Sequence, residues 1–251
     1  NRQPTDMDSV QLIHHLLSQQ NEQVVLLSAG SLTNIAQWLH KYPEDMPKVS
    51  RLVMMGGGFD APGNIIVPGF TGDHPNKKAE WNIYVDAVAA EQVFASNLAV
   101  EVVGLDLTNQ VKVTPEYAKR FKSEVRTPAA KFWDKVLDDN DWFIESEEYY
   151  FWDVLAALVV VEPELCQGEL QSVWVEFSEV KSGGKWTDTS MPKITEAGKT
   201  RSHYDPATFG ITHIGGNNPA VKICRHTEPQ RAFDALIEIL NVERQSDIQP
   251  I

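Results

Sequence analysis

Residues 51–58 read Arg-Leu-Val-Met-Met-Gly-Gly-Gly, a short apolar run that ends in three glycines. The apolar run from Leu52 to Met55 is too short for a helix and ends abruptly in glycines, which is typical of a buried strand in a parallel sheet. Glycine has no Cβ, so backbone and ligand can approach each other closely where such a strand ends. In open α/β sheets, ligands bind outside the carboxyl ends of the strands. The stretch therefore predicts a parallel sheet and the place of a ligand site.

Polar residues follow this strand at two places. One is the pair Gly63-Asn64, and the other is Glu80-Trp81-Asn82, directly before an amphipathic helix. Two amides and a carboxylate suit a polyhydroxylated ligand, because sugar hydroxyls both donate and accept hydrogen bonds. The alternative is that Asn64 is a turn residue and Asn82 a helix N-cap, and for either residue alone this alternative is favoured.

Several short motifs, taken together, carry a resemblance to a known family. In chain order they are Leu32-Thr33-Asn34-Ile35-Ala36, Met55-Gly56-Gly57, Gly63-Asn64 and Ala79-Glu80-Trp81-Asn82, followed by Asp86 and Ala89-Ala90. The set resembles the nucleoside hydrolases over most of the chain, with one longer loop. The resemblance implies an α/β fold, a bound calcium ion and cleavage of the N-glycosidic bond of ribonucleosides. It also implies that the ribose is held by four residues: Met55, Asn64, Glu80 and Asn82.

A second informative stretch is Tyr149-Tyr150-Phe151-Trp152-Asp153, which precedes the apolar run 154–161. These residues read as the first turn of a buried helix, where the helix dipole favours Asp153 and the aromatic residues fill core. A carboxylate beside a wholly apolar helix is costly unless it is paired or binds a metal. The resemblance implies that Asp153 is a calcium ligand, together with the backbone carbonyl of Ala29, which places no demand on its side chain.

Trp152 occupies the position where many members of the family carry a histidine that donates a proton to the leaving base. A tryptophan here resembles the purine-preferring branch, in which an indole stacks on the base. An aromatic face favours a protonated, cationic purine, as it favours other cations. We therefore expect Trp152 to contact the base, and we predict Trp152 and Asn82 as catalytic residues of a purine ribonucleoside hydrolase that uses calcium-activated water.

One expected motif is missing. The family pattern Asp-x-Asp-x-x-x-Asp-Asp, which supplies calcium ligands and the general base, does not occur in the 251 residues. We therefore expect the chain to lack the N-terminal portion of the family. The activity of this chain would then depend on that portion. The alternative is a non-catalytic nucleoside- or ribose-binding remnant, or one half of a split enzyme.

Composition narrows the choice of partners. The net charge of −13 argues against a nucleic-acid partner, and the longest apolar run, 154–161, is too short to span a bilayer. Cys166 and Cys224 show neither metal-ligand spacing nor a disulfide framework, and cysteine usage leans towards a reducing compartment. We expect a single domain over residues 1–251, a cytoplasmic location, a homo-oligomer and a small purine nucleoside as the binding partner.

The predicted architecture is α/β, a mostly parallel sheet flanked by helices and lacking the first strands of the family. Thr114-Pro115 and Thr127-Pro128 each read as a helix start, with a capping hydroxyl before a proline. The other helices are predicted at 6–18, 33–40, 86–95 and 231–240. Strands are predicted at 24–27, 52–55, 100–107, 171–177 and 220–224, and a long hairpin or surface loop at 182–216.

Overall fold

A computed structural model describes residues 5–72, 74–178 and 204–243. Within these ranges the chain forms a mixed six-stranded sheet with the strand order β1-β2-β3-β6-β4-β5. The first four strands in this order run parallel, whereas β4 pairs antiparallel with both β6 and β5. The mostly parallel α/β sheet is therefore confirmed. The strands are β1 Val24–Ser28, β2 Val49–Met55, β3 Val100–Val103, β4 Gln167–Val175, β5 Thr212–Ile214 and β6 Ala220–His226.

Helices cover both faces of this sheet. Those before β3 are α1 Ser9–Ser18, α2 Thr33–Lys41, α3 Trp81–Val85 and α4 Ala87–Phe94. Those after β3 are α5 Leu105–Thr108, α6 Pro115–Glu124, α7 Pro128–Asp139, α8 Asp141–Glu145, α9 Trp152–Val161 and α10 Pro229–Leu240. Both predicted Thr-Pro starts are confirmed, since the Thr114 and Thr127 hydroxyls each accept a backbone N–H of the first turn.

Strand β2 lies between two hydrophobic cores. Leu52 and Met54 pack into the core formed with α1 to α4, whereas Val53 and Met55 pack into the core formed with α5 to α10. All four side chains are buried, because helices cover the sheet on both sides. This burial explains why the sequence shows a continuous apolar run here instead of alternation.

The predicted strand at 100–107 is too long. Strand β3 ends at Val103, Gly104 caps the next element, and residues 105–108 form the short helix α5. The turn is imposed by the neighbouring strand end, because the N–H of Leu105 donates to the carbonyl of Gly57 at 2.8 Å. Gly104 is required there, since a Cβ would lie 2.6 Å from that carbonyl oxygen. A buried short helix and a buried strand have the same apolar composition, so the sequence could not separate them.

Other boundaries move by a few residues. The strand predicted at 171–177 is β4, which begins at Gln167 and ends at Val175. Strand β5 lies within the predicted hairpin region 182–216, of which residues 179–203 lie outside the described residues. None of the helices in the described ranges is long and apolar enough to cross a bilayer.

The prediction that the two cysteines form no disulfide is wrong. Cys166 and Cys224 are bonded, with their Cα atoms 4.9 Å apart. They meet because β4 and β6 are antiparallel neighbours, a relationship that the 58-residue separation in sequence does not reveal. Disulfides are typical of oxidising compartments, so cysteine usage no longer supports the cytoplasmic location, which stays a prediction.

Candidate active site

The site is built around the carboxyl end of β2. Gly57 has a φ of +83°, in the left-handed region that favours glycine. The next residue is fixed by β5: the N–H of Gly58 donates to the Thr212 hydroxyl at 3.1 Å, and that hydroxyl donates to the Gly58 carbonyl at 2.7 Å. The strand end is therefore held in one conformation by the opposite half of the sheet.

Asp106 holds the loop that follows. Its carboxylate accepts the backbone N–H groups of three consecutive residues, Phe59 at 2.7 Å, Asp60 at 2.8 Å and Ala61 at 3.1 Å. The Arg225 guanidinium lies 3.4 Å from the same carboxylate and 3.0 Å from that of Asp60. Sequence reasoning missed this residue. The signal that could have found it is an acidic residue directly after a strand, beside a glycine-rich strand end.

Glu80 occupies the N-cap of α3 and is almost completely buried, with 1% of its surface exposed. One carboxylate oxygen, Oε2, accepts the N–H groups of Gly57 at 3.0 Å and Ile83 at 3.1 Å. Burial raises the pKa of this carboxyl to about 7, against the lowering effect of its backbone hydrogen bonds, and the charge of Asp153 adds to the rise. Glu80 therefore joins the carboxyl end of β2 to the first turn of α3.

Asn82 and Asn64 are fixed by contacts to the same elements. The Asn82 amide donates to the carbonyl of Met55 at 3.1 Å and lies 3.3 Å from its sulfur. The Asn64 side chain accepts the N–H of Trp81 at 2.7 Å. The alternative that Asn82 is the helix N-cap is wrong, because Glu80 has that position. The four residues predicted to hold a ribose thus lie along one connected wall.

Trp152 begins α9 and is half-buried. Its ring contacts three others, with centroid distances of 5.9 Å to Phe143, 5.8 Å to Tyr149 and 5.9 Å to Tyr150. Such tilted and edge-on pairs hold a ring in place while leaving part of it accessible. Trp152 therefore packs against the hydrophobic core through aromatic neighbours, and part of its side chain remains accessible.

The two predicted calcium ligands lie directly after β1 and in the first turn of α9. Asp153 is exposed, although partial burial raises the pKa of its carboxyl, and Ala29 directly follows β1 and is also exposed. Calcium needs six to eight oxygen ligands. In the described ranges, no group of three or more His, Cys, Asp and Glu side chains is placed to hold a metal ion. These residues provide a partial donor set and no complete calcium shell.

Known proteins share sequence and fold with this chain. The family model for inosine-uridine preferring nucleoside hydrolases matches residues 1–234. A pyrimidine-specific ribonucleoside hydrolase, RihA, from Salmonella newport is 33% identical over 240 residues, which are 94% of this chain and 67% of that protein. The chain therefore covers about two thirds of the length of this relative.

Two solved structures share the fold. The inosine-uridine preferring nucleoside hydrolase from Bacillus anthracis superposes with a TM-score of 0.71 at 24% identity, covering 94% of this chain and 66% of that one. A purine-preferring ribonucleoside hydrolase from Gardnerella vaginalis superposes with a TM-score of 0.70 at 22% identity, covering 95% and 67%. With the family match over nearly the whole sequence, this chain belongs to the inosine-uridine preferring nucleoside hydrolase family.

Proposed function

We propose that the protein hydrolyses the N-glycosidic bond of ribonucleosides, giving ribose and the free base. One observation carries this proposal: at the end of β2, the Glu80 carboxylate accepts the N–H of Gly57 at 3.0 Å and the Asn82 amide donates to the Met55 carbonyl at 3.1 Å. The wall formed by Met55, Glu80 and Asn82 therefore faces one space. That space lies at the carboxyl end of parallel strands, where α/β folds bind their ligands.

The chain supplies ribose contacts of the required kind. The Glu80 carboxyl has a pKa of about 7. Near neutral pH it can therefore accept a hydrogen bond from a hydroxyl when ionised, or donate one to a hydroxyl when protonated. The side-chain NH₂ of Asn82 donates to the Met55 carbonyl, and no described residue donates to the side-chain oxygen. This oxygen can therefore accept a hydrogen bond from a ribose hydroxyl. Fixed dipoles around a ribose stabilise the positive charge that develops as the ring flattens towards an oxocarbenium ion.

The reaction consumes one water molecule. Its oxygen bonds to C1′ as the electron pair of the glycosidic bond leaves with the base, and a proton from water ends on the base. Calcium stays part of the proposal: Asp153 and the carbonyl of Ala29 would be ligands to it, and the described residues do not supply the rest of its shell. The base would stack on Trp152, whose aromatic face favours a protonated leaving group.

We further propose that purines are preferred, because a bicyclic base covers more of the Trp152 ring than a pyrimidine does. The names of the relatives divide on this point. RihA from Salmonella is named pyrimidine-specific, whereas the Gardnerella enzyme is named purine-preferring. The purine preference rests on Trp152 and its three aromatic neighbours.

A second candidate is nucleoside or ribose binding without hydrolysis. It is favoured by the incomplete calcium shell, since the described residues place no cluster of three metal ligands at the site. The two candidates make different predictions for the same preparation. A binding protein takes up inosine without releasing ribose, whereas a hydrolase releases ribose in proportion to time and protein.

The test measures ribose release from inosine and from uridine, alongside nucleoside binding by calorimetry. For a hydrolase, Asn82→Ala should lower kcat/KM about ten-fold to a thousand-fold, because it removes a contact that strengthens in the transition state. Asn97→Ala is the matched control, since Asn97 is exposed and distant in sequence from the wall. Equal kinetics for both variants would remove Asn82 from the site. Binding without ribose release would favour the second candidate.

A further inference from the structure

Residues 209–212 form a short segment that leads into β5, of which Thr212 is the first residue. The backbone of this segment is fixed to the end of β4. The N–H of Gly210 donates to the carbonyl of Glu176 at 2.7 Å, and the N–H of Glu176 donates to the carbonyl of Ile211 at 2.9 Å. The segment therefore has a defined position on the sheet, and three of its residues contact the chain that carries the wall of the candidate site.

The first contact is made by Thr212 at the carboxyl end of β2. Its buried hydroxyl accepts the N–H of Gly58 at 3.1 Å and donates to the carbonyl of the same residue at 2.7 Å. The preceding residue, Gly57, donates its N–H to the Glu80 carboxylate at 3.0 Å. The Thr212 hydroxyl therefore fixes the backbone one residue away from the donor that Glu80 accepts.

The second contact reaches the other side of Glu80. Asn76 is completely buried, and its side-chain NH₂ donates to the carbonyl of Phe209 at 2.9 Å. Its side-chain oxygen accepts the N–H groups of Lys78 at 3.0 Å and Ala79 at 2.9 Å. Since Ala79 directly precedes Glu80, Asn76 joins the segment to the backbone that leads into the wall.

The third contact is a close approach of two backbones. Gly210 has a φ of +80°, and a Cβ at this position would lie 2.8 Å from the Cα of Tyr84. Tyr84 follows Asn82 by two residues on α3. Residues 209–212 thus contact the chain before Glu80, after Asn82 and at the strand end between them.

The position of these backbone groups decides where the Glu80 and Asn82 side chains can meet a hydroxyl. A misplacement of about 1 Å, caused by a mutation away from the chemistry, can cost an enzyme about a hundred-fold in rate. We propose that residues 209–212 set the position of the wall, and that Thr212 is a positioning residue for the ribose contacts of Glu80 and Asn82. The inference rests on the proposed function. Thr212 acts through the backbone of Gly58 and does not itself touch the substrate.

The test measures binding of 9-deazainosine to the whole chain by calorimetry. Water does not cleave the carbon–carbon glycosidic bond of this nucleoside, so binding is measured without turnover. Thr212→Val keeps the shape of the side chain and loses both hydrogen bonds to Gly58. It should weaken binding about three-fold to thirty-fold, the contribution of one or two hydrogen bonds. Thr212→Ser, which keeps the hydroxyl, should restore most of the affinity.

Asn76→Asp tests the second contact. The carboxylate keeps both N–H groups that Asn76 accepts and loses the donor to Phe209, so binding should weaken in this variant as well. The calorimetric stoichiometry separates positioning from a loss of folded protein. Unfolded protein lowers the number of binding sites and leaves the Kd of the folded fraction unchanged. If Thr212→Val does not fold, Asn76→Asp decides by the same criteria.

Thr227→Val is the matched control. Thr227 is also a buried threonine, and its hydroxyl has no hydrogen-bond partner in the part of the chain that the structure describes. The control should leave the Kd unchanged. An unchanged Kd in folded Thr212→Val, or an equal weakening in Thr227→Val, would overturn the inference.

Ribose release from inosine is measured with the same preparations. Binding that depends on Thr212 without any ribose release would refute hydrolysis as the function and leave the positioning role standing. Ribose release by the wild type, with a Kd independent of Thr212, would do the opposite. The absence of both binding and ribose release would overturn both proposals.

Discussion

A hydrogen bond of 2.7 Å joins the backbone N–H of Phe59 to the carboxylate of Asp106, and it couples the loop after β2 to the turn after β3. The two neighbouring N–H groups donate to the same carboxylate, so the loop surrounds one negative charge with three backbone donors. The carboxylate accepts these three hydrogen bonds at a place that bulk water hardly reaches, since its side chain is only 8% exposed. This relationship fixes the course of the chain between the strand end and Asn64.

Asp106→Asn should therefore destabilise the protein by about 2–4 kcal/mol, because an amide NH₂ would face the backbone N–H groups and the charge opposite Arg225 would be lost. Urea unfolding measures the change. Asp60→Asn is the control: Asp60 pairs with the same Arg225, but its side chain is 86% exposed. It should cost less than about 1 kcal/mol. Similar losses for both variants would show that the ion pairs with Arg225 matter and the loop contacts do not.

Glu80 should make stability depend on pH. Burial raises the pKa of its carboxyl to about 7 in the folded protein, so the folded state favours the protonated form. Stability should fall as pH rises from the unfolded pKa, near 4.5, towards 7, by up to about 3 kcal/mol. Glu80→Gln should abolish this loss, because an amide does not ionise in this pH range. Its single oxygen can still accept both N–H groups that Oε2 accepts.

The measurement is the unfolding free energy of wild type and Glu80→Gln between pH 4.5 and 8. Relative to the wild type, the unfolding free energy of the variant should rise steadily from pH 4.5 to about 7 and level off above that pH. Glu116→Gln, at an exposed position in the first turn of α6, is the control and should run parallel to the wild type. A constant difference between Glu80→Gln and wild type would contradict the prediction.

Trp152 should control the choice of base if it stacks on the leaving group. Trp152→Ala should lower kcat for inosine about five-fold to a hundred-fold, the range that base stacking on aromatic side chains provides. Trp152→His should narrow the inosine-to-uridine ratio of kcat/KM, because it introduces a proton donor for the base. Trp174→Ala on β4, far in sequence from α9, is the control. Loss of thermal stability at an unchanged substrate ratio would assign Trp152 to packing.

Calcium should bind weakly to this chain. Asp153 and one carbonyl are a small part of the six to eight oxygens required, so calorimetry should give a dissociation constant above about 10⁻⁴ M. Asp153→Asn should abolish the remaining heat of binding. Asp138→Asn should have no effect, since Asp138 is 60% exposed on α7 and already pairs with Lys122. Micromolar or tighter affinity for the 251-residue chain would refute this prediction.

The disulfide between Cys166 and Cys224 should stabilise the fold by restricting the unfolded chain. For a separation of 58 residues, its removal should cost about 4 kcal/mol in the chain-entropy model. The double variant Cys166→Ser/Cys224→Ser should show this loss in urea unfolding. A reducing agent should produce a similar loss in the wild type and no effect in the double variant. Equal unfolding curves with and without reductant would show that the cysteines are not bonded.

The sequence predicted the fold correctly where a local pattern of residues is compatible with only one secondary structure. The buried run 52–55, the Thr-Pro helix starts and the first turn at Trp152 are confirmed, because each is set by nearby residues. Long-range contacts decided the rest. The turn at Gly104 depends on the carbonyl of Gly57, and the disulfide depends on the pairing of β4 with β6, neither of which periodicity can reveal.

The candidate site, too, was predicted in part and missed in part. Its polar wall was predicted by motif, and the structure brings Met55, Glu80 and Asn82 together at one strand end. The support behind that wall was not predicted. Thr212 acts through the backbone of a distant residue, so no sequence pattern marks it. Asp106 is marked only by its place after a strand, and the three N–H groups that it accepts lie far away in the sequence.

The bond between Cys166 and Cys224 also determines what limited proteolysis can separate. It closes a covalent ring that contains residues 167–223, and with them all of β4 and β5 and the start of β6. A single protease cut at any point within this ring leaves both pieces joined. The cut protein would migrate as one band in a non-reducing gel and as two bands after reduction. A cut before Cys166 or after Cys224 would release a fragment in either gel.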